Sequence, residues 1–153
     1  MIERHRMVMA VEAAAYHRDR LARHPDDYPP NIRALLEEGI ATPAPEYALT
    51  KEHQRHLTAE MPRAFAGCDA LVCPATPTAA PDATTTGSPA FNSPWSYTGL
   101  PVVSVPVRLD PAGLPLGVQL VGLPLGEGGL FRVAAWVESA IGPGIGEPPL
   151  VRS

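Results

Sequence analysis

A run of valines constrains the fold of this chain more than any other feature. The segment 102–107 contains Val102, Val103, Val105 and Val107 and leaves almost no polar side on the strand that it predicts. A strand that is apolar on both faces normally lies inside a larger sheet. Pro106 interrupts the run and removes one ladder donor, so we expect a bulge or an unpaired position there. The segment therefore predicts a strand whose sheet has more neighbours than this chain supplies.

Two further strands are predicted around the valine run. Short apolar stretches at 69–73 and 114–122 are typical of strands. Before the second of these, Asp110, Pro111 and Gly113 occupy the favoured positions of a type I turn. This turn predicts that the valine strand and the strand at 114–122 form a hairpin.

A long loop and a helix complete the second half. Residues 74–92 hold four prolines among small polar residues, and a loop of this length in a compact domain is usually functional or mobile. Residues 127–141 place apolar side chains at helical spacing before Gly142 and Pro143, which predicts one amphipathic helix.

The first half predicts helices. Residues 2–22 place apolar side chains among charged ones at a spacing that predicts one amphipathic helix, and the proline-rich segment 24–30 ends it. Asn31 is a favoured N-cap for a short second helix, which we expect Gly39 to close.

A third helix is predicted to begin near Pro43 or Pro45, since proline suits a first helical turn. Pro62 is expected to kink it or end its regular part, and Gly67 ends it altogether. Its buried side is predicted to carry Tyr47, Leu57, Met61 and Phe65.

The order of these elements predicts an α/β fold, with a mixed sheet flanked by helices. Three strands are few, so the fold is expected to be incomplete as a stand-alone domain. Residues 1–142 are predicted to form one part of a domain, helical over 1–67 and built of strands plus a helix over 68–142. The Gly/Pro-rich residues 143–153 are predicted to be a loose tail.

The composition of the chain excludes some classes of partner and indicates its location in the cell. The 153 residues carry a net charge of −4 and no basic run, which argues against nucleic acid or an anionic membrane as a partner. No apolar stretch approaches the ~18 residues of a membrane span, and the N-terminus lacks a signal peptide's apolar region, so a cytoplasmic location is predicted. Cys68 and Cys73 would lie on opposite faces of an extended segment, which favours reduced thiols.

Three motifs follow one another in the second half. The first is a P-x-x-P loop after a strand, at Pro74 and Pro77. The second consists of Phe91, Asn92, Pro94, Gly99, Pro101, Ser104 and Pro106, and the third of Gly113, Leu114, Pro115, Gly117 and Gln119. In this order they resemble the C-terminal part of the amidase signature family, which includes amidases and the amidase-like subunits of glutamyl-tRNA amidotransferases. The resemblance runs from about residue 8 to residue 138.

Structural roles explain most of the motif residues. Gly99 and Gly117 allow backbone conformations or close approaches that a side chain would block, and Pro101 stiffens the start of the valine strand. The residues that we interpret as structural are Pro74, Pro77, Gly99, Pro101, Pro106, Gly117 and Gln119.

The loop at 74–92 lies at strand ends, where α/β proteins form their clefts. By resemblance it borders the substrate funnel, and the candidates for pocket lining are Phe91, Asn92, Trp95 and Ser96. The alternative is that Phe91 and Trp95 are core residues and that Asn92 caps a short helix.

The resemblance implies hydrolysis of carboxylic amides by a Ser-cisSer-Lys triad with a backbone oxyanion hole. In the family these groups lie upstream of the motifs found here. This chain has six serines, none adjacent to another, and its one lysine, Lys51, stands beside Glu52 in a polar helix. A lysine base needs burial to lower its pKa, so we predict no catalytic residue in this chain and no activity of the chain alone. Met1 falls inside an expected helical region, which favours a fragment or truncated reading frame.

One other constellation carries ligand-type side chains. Glu52, His53, His56 and Glu60 could face one side of a helix as metal ligands, but no standard zinc motif fits, and a solvated helix face is the preferred interpretation. Neither a metal nor a cofactor is predicted.

Two functions from different classes remain open. The first is an amidase-type hydrolase of which this chain is the C-terminal portion, with a small amide as substrate of the full-length form. The second is a non-catalytic binding or assembly protein, whose partner would be the missing N-terminal half or another copy of the chain. In either case the isolated chain is expected to expose apolar strand faces and to aggregate.

Overall fold

The structure is a computed structural model that describes residues 1–142 and 145. The predicted loose tail at 143–153 lies outside the described residues, Ile145 excepted. The chain divides into two compact units, one formed by Met1–Ala59 and the other beginning at Glu60.

The first unit consists of three helices. They are α1 (Ile2–Arg23), α2 (Pro30–Ala41) and α3 (Ala44–Glu60), with a single 3-10 turn at Pro25–Asp27 between the first two. All three helices were expected, and proline at the first turn starts both α2 and the 3-10 segment.

The ends of α2 differ from the prediction. The helix begins at Pro30, with Pro29 in the N-cap position, so Asn31 lies inside the first turn and does not cap it. Gly39 does not close the helix, which continues to Ala41. Gly39 is needed for packing, because a Cβ atom there would lie 2.1 Å from the carbonyl oxygen of Ala10 on α1. A glycine is therefore required here by a contact with a residue that is distant in sequence, and the rules for helix ends do not reveal such a contact.

Polar contacts fasten α3 to α1 within this unit. The Tyr47 hydroxyl donates to Glu12 Oε1 at 3.1 Å, and Lys51 Nζ lies 3.0 Å from the same oxygen. Thr50 is buried and donates to the sulfur of Met7 at 3.2 Å. The regular helix ends at Glu60, and a 3-10 segment, Met61–Phe65, follows it, as Pro62 had indicated.

The second unit contains a three-stranded sheet and two helices. The strands are β1 (Leu71–Pro74), β2 (Val102–Leu109) and β3 (Pro115–Val121), and the helices are α4 (Ser93–Thr98) and α5 (Glu127–Ile141). The order in the sheet is β1-β3-β2, and both pairings are antiparallel.

The predicted hairpin of β2 and β3 is present. The Gly113 N–H donates to the Asp110 carbonyl at 3.0 Å, and the Asp110 carboxylate accepts the backbone N–H groups of Ala112 and Leu114. The expected irregularity is also present, as a register shift between Pro106 and Arg108.

The valine run lies at the edge of the described sheet. β2 has β3 on one side and no other strand among the described residues. Val105 is buried, whereas Val102 remains 39% exposed. A strand with this composition at an open edge is consistent with a sheet that continues beyond this chain.

Two small cores form on the faces of the sheet. Val105, Leu120, Leu130 and Ala134 form one, between the hairpin and α5. The second core consists of Phe65, Leu100 and Val121, against which Met61, Leu71, Cys73 and Trp95 pack.

Candidate functional site

The predicted pocket residues lie where the long loop returns to the sheet. Phe91 and Asn92 are the last residues before α4, and Trp95 and Ser96 belong to that helix. Pro94 lies in its first turn, and Gly99 ends it with a left-handed φ of 71°. The structure therefore brings the four candidates together on one short segment.

Their surroundings divide them into two pairs. Asn92 and Ser96 are exposed, whereas Phe91 and Trp95 are half-buried. Trp95 packs against the core of Phe65, Leu100 and Val121, and its indole nitrogen is buried without a hydrogen-bond partner among the described residues. Asn92 holds the N-cap position of α4 but makes no side-chain capping bond to it. Of the four candidates, Asn92 and Ser96 are therefore the two with exposed polar side chains.

Three buried residues of α4 were not among the candidates. Ser93, Tyr97 and Thr98 are each at most 3% exposed. The Thr98 hydroxyl donates to the Pro94 carbonyl at 2.7 Å. The sequence does carry a signal for this helix: the cap-type residues Asn92 and Ser93 precede Pro94, and Gly99 follows the last helical residue.

Gln119 joins the two ends of the loop. It is 2% exposed, and its side-chain nitrogen lies 3.2 Å from the Pro74 carbonyl oxygen and 2.6 Å from that of Phe91. The same nitrogen is 3.3 Å from the sulfur of Cys73. A motif residue from the central strand thus contacts both the start and the end of the segment that carries the candidates.

The other motif residues shape the same region. Gly117 faces Pro106 across the hairpin, and a Cβ atom there would meet the Val105 carbonyl oxygen at 3.2 Å. Pro74 ends β1, Pro77 lies exposed in the loop, and the Pro101 carbonyl accepts the Gly122 N–H at 2.9 Å.

A turn within the loop shifts the pKa of an aspartate. The backbone N–H of Thr84 donates to the Asp82 carboxylate at 2.8 Å, and the Thr84 hydroxyl donates to the same oxygen. The hydroxyl bond, with the backbone bond second, lowers the pKa of Asp82. The contact stabilises a local turn in a fully exposed position.

A separate cleft of about 930 Å³ lies between α5 and the start of β1. Its walls include exposed Val72 and Trp136, with Asp69 and Arg132 among its charged groups. Cys68 also lines it, and both cysteines are free thiols.

No group of three His, Cys, Asp or Glu side chains that could hold a metal ion occurs within the described part of the chain. The predicted ligands Glu52, His53, His56 and Glu60 all lie on α3. None of the helices in the described ranges is long and apolar enough to span a bilayer.

Comparison with known proteins connects this geometry to a family. The amidase family profile matches residues 11–131. Over 87 residues the chain is 42% identical to the A-type subunit of glutamyl-tRNA(Gln) amidotransferase from Mesorhizobium japonicum, covering 50% of this chain and 17% of that protein. Over 152 residues it is 29% identical to a Mycobacterium tuberculosis protein named as an amidase, AmiD, covering 92% and 32%.

A solved structure agrees with the sequence comparisons. A crystal structure described as an amidase superposes with a TM-score of 0.83 at 27% identity, covering 92% of this chain and 35% of that one. The chain therefore spans about a third or less of the length of the proteins that it matches. The predicted α/β architecture of the amidase signature fold is confirmed, and this chain belongs to the amidase family.

Proposed function

We propose that this chain is the portion of an amidase-type hydrolase that forms one wall of the substrate pocket, and that it does not hydrolyse amides alone. The observation that carries the proposal is the family match over residues 11–131 in a chain without the chemistry expected of the family. No two of its serines are adjacent, and its one lysine is Lys51.

The position of Lys51 supports this proposal. Its ammonium group lies 3.0 Å from the Glu12 carboxylate, and its side chain is 35% exposed. A lysine that acts as a base must lose its proton near neutral pH, which burial favours and an adjacent carboxylate opposes. Lys51 is therefore a structural partner of Glu12 in this proposal.

The substrate of the full-length form would be a small carboxylic amide, on the basis of the amidases among the relatives. The chain would meet it through Asn92 and Ser96, with Phe91 and Trp95 shaping the wall behind them. The upstream part of an amidase domain, absent from this chain, would supply the nucleophile. The cytoplasmic location stays a prediction from the sequence.

A second candidate is a non-catalytic assembly protein that uses the same surfaces to bind another polypeptide. The unpartnered outer edge of β2, within the described sheet, favours it. This function and the first one share the fold but differ in what the chain must meet: an amide substrate or a protein partner.

Ammonia release from a panel of short aliphatic and aryl amides tests the proposal. Neither the purified chain nor its Lys51→Ala variant should release ammonia faster than the amides do without protein. Release by the wild-type chain at ten or more times the variant's rate (about 1.4 kcal/mol of barrier) would contradict the proposal and make Lys51 a catalytic base.

A further inference from the structure

The segment that carries the candidate pocket residues has little regular structure to hold it. Between Pro74 at the end of β1 and Ser93 at the start of α4 the described residues form bends and turns. A loop of this kind needs contacts at its ends to place its last residues reproducibly, because ordering each residue costs about 1–2 kcal/mol of backbone entropy.

Its two ends are held differently. At the first end, the backbone N–H of Ala75 donates to the Gly117 carbonyl at 3.0 Å, in addition to the bond that Pro74 accepts from Gln119. At the second end, the Phe91 carbonyl accepts a 2.6 Å bond from Gln119. Gln119 comes from β3, the central strand of the sheet, so it connects the far end of the loop to the best-paired strand of this unit.

The chemistry of the side chain fits this task. A primary amide nitrogen carries two N–H groups, and here it faces two backbone carbonyl oxygens. Gln119 is almost fully buried, so water does not compete for these bonds. A glutamate of equal size would present an oxygen to the same two carbonyls and could donate only when protonated.

We propose that Gln119 is a positioning residue for the candidate pocket, whose side-chain amide fixes the Phe91 end of the loop and thereby the start of α4. The effect of this role of Gln119 on substrate binding rests on the proposed function. The fixing of the loop end concerns this chain alone and can be measured without any amide hydrolysis.

The test compares Gln119→Glu with Gln119→Met, both in a Trp136→Phe background so that Trp95 is the only tryptophan. The glutamate variant should release the loop end at about pH 8, where its carboxylate cannot donate, and recover one of the two bonds at about pH 4, below the ordinary glutamate pKa of about 4.3, where its single O–H can donate. Protease cleavage within residues 75–90 should rise about tenfold at the higher pH, with a parallel change of Trp95 fluorescence. The methionine variant should be open at both pH values, and the Gln119 background protein closed at both.

Two results would overturn the proposal. One is a cleavage rate in both variants equal to that of the background protein at the higher pH. The other is a glutamate variant whose loop responds to pH no differently from the methionine variant.

A measurement on the wild-type chain guards against variants that fail to fold. By NMR, the two side-chain amide protons of Gln119 should exchange with solvent at least about tenfold more slowly than those of Asn31, which is exposed on α2. Equal exchange rates would contradict the proposal independently of any substitution. Ammonia release by the wild-type chain, which would contradict the proposed function, would leave each of these readouts unchanged, so failure of this proposal and failure of the proposed function are distinguishable.

Discussion

The helices of the two units differ in how closely they approach the elements that they pack against. In the first unit, α2 approaches α1 so closely that Gly39 has no room for a single methyl group beside Ala10. In the second unit, α5 buries Leu130 and Ala134 against the hairpin but leaves Trp136 70% exposed. The first contact is complete between its own residues, whereas the second covers only one side of its helix.

The sheet repeats this contrast. β3 is paired on both sides and contains Leu120 and Val121, which are fully buried. β1 and β2 each pair on one side only within the described sheet, and Val72 on β1 is 62% exposed. The second unit thus leaves two strand edges and one side of α5 without partners among the described residues.

The largest effect should come from filling the α1–α2 contact. Gly39→Val should destabilise the first unit by at least about 3 kcal/mol, because its Cβ would overlap the backbone of Ala10 and the helices would have to separate. Urea unfolding followed by far-UV circular dichroism measures the loss.

The matched control is Gly128→Ala on α5, where a Cβ would meet nothing within 4 Å. It should be neutral or stabilising by up to about 1 kcal/mol, since alanine favours helix over glycine. Equal losses in the two variants would remove the distinction between a closed and an open helix contact.

The next effect separates the two sides of α5. Leu130→Ala should cost about 2.5 kcal/mol, because Leu130 is 2% exposed and its removal leaves a cavity in the core. Trp136→Ala should change the free energy of unfolding by less than about 0.5 kcal/mol, as expected of a surface substitution, and should reduce aggregation. A large loss from Trp136→Ala, measured by the same urea titration, would mean that its indole is covered in solution.

A smaller effect is expected from the polar contacts of the first unit. Glu12→Gln should cost about 0.5 kcal/mol, since the pair with Lys51 is partly exposed. Asp19→Asn is a suitable control, because Asp19 and its partner Arg18 are about 80% exposed, and no loss is expected.

Glu12→Gln should also change the pKa of Tyr47. Burial first, and the bond to Glu12 second, raise the pKa of Tyr47. A raised tyrosine pKa contributes stability that is present below the unfolded value of about 10 and is lost as pH rises through the folded value. Glu12→Gln should lower the Tyr47 pKa in a phenolate absorbance titration, and an unchanged value would contradict the assigned bond.

Local patterns predicted the elements whose determinants are local. The turn at Asp110–Gly113 contains its own hydrogen-bonding side chain, and α5 repeats its apolar positions every three or four residues. By contrast, α4 is six residues long and rich in residues of low helix propensity, so burial of Tyr97 decides it. Its presence was expected only as the alternative role of Asn92.

Determinants that are distant in sequence were not predictable from it. Gly39 contacts Ala10, and Gln119 reaches Phe91 and Pro74, which lie 28 and 45 residues away. The sequence singled out both residues as motif or helix-end positions, but only the packed structure identifies their partners. The pocket role of Phe91, Asn92, Trp95 and Ser96 came from family resemblance and stays a proposal.

Amide hydrogen exchange of the wild-type chain tests the contrast between closely packed and open surfaces most directly. We predict slow exchange for Ala10, Ala14 and Leu36 in the α1–α2 contact and for Leu120 and Val121 in β3, and fast exchange for those β2 amides that point away from β3. Equal protection across β2 and β3 would contradict the account, because it would mean that the outer edge of β2 is covered in this chain as it exists.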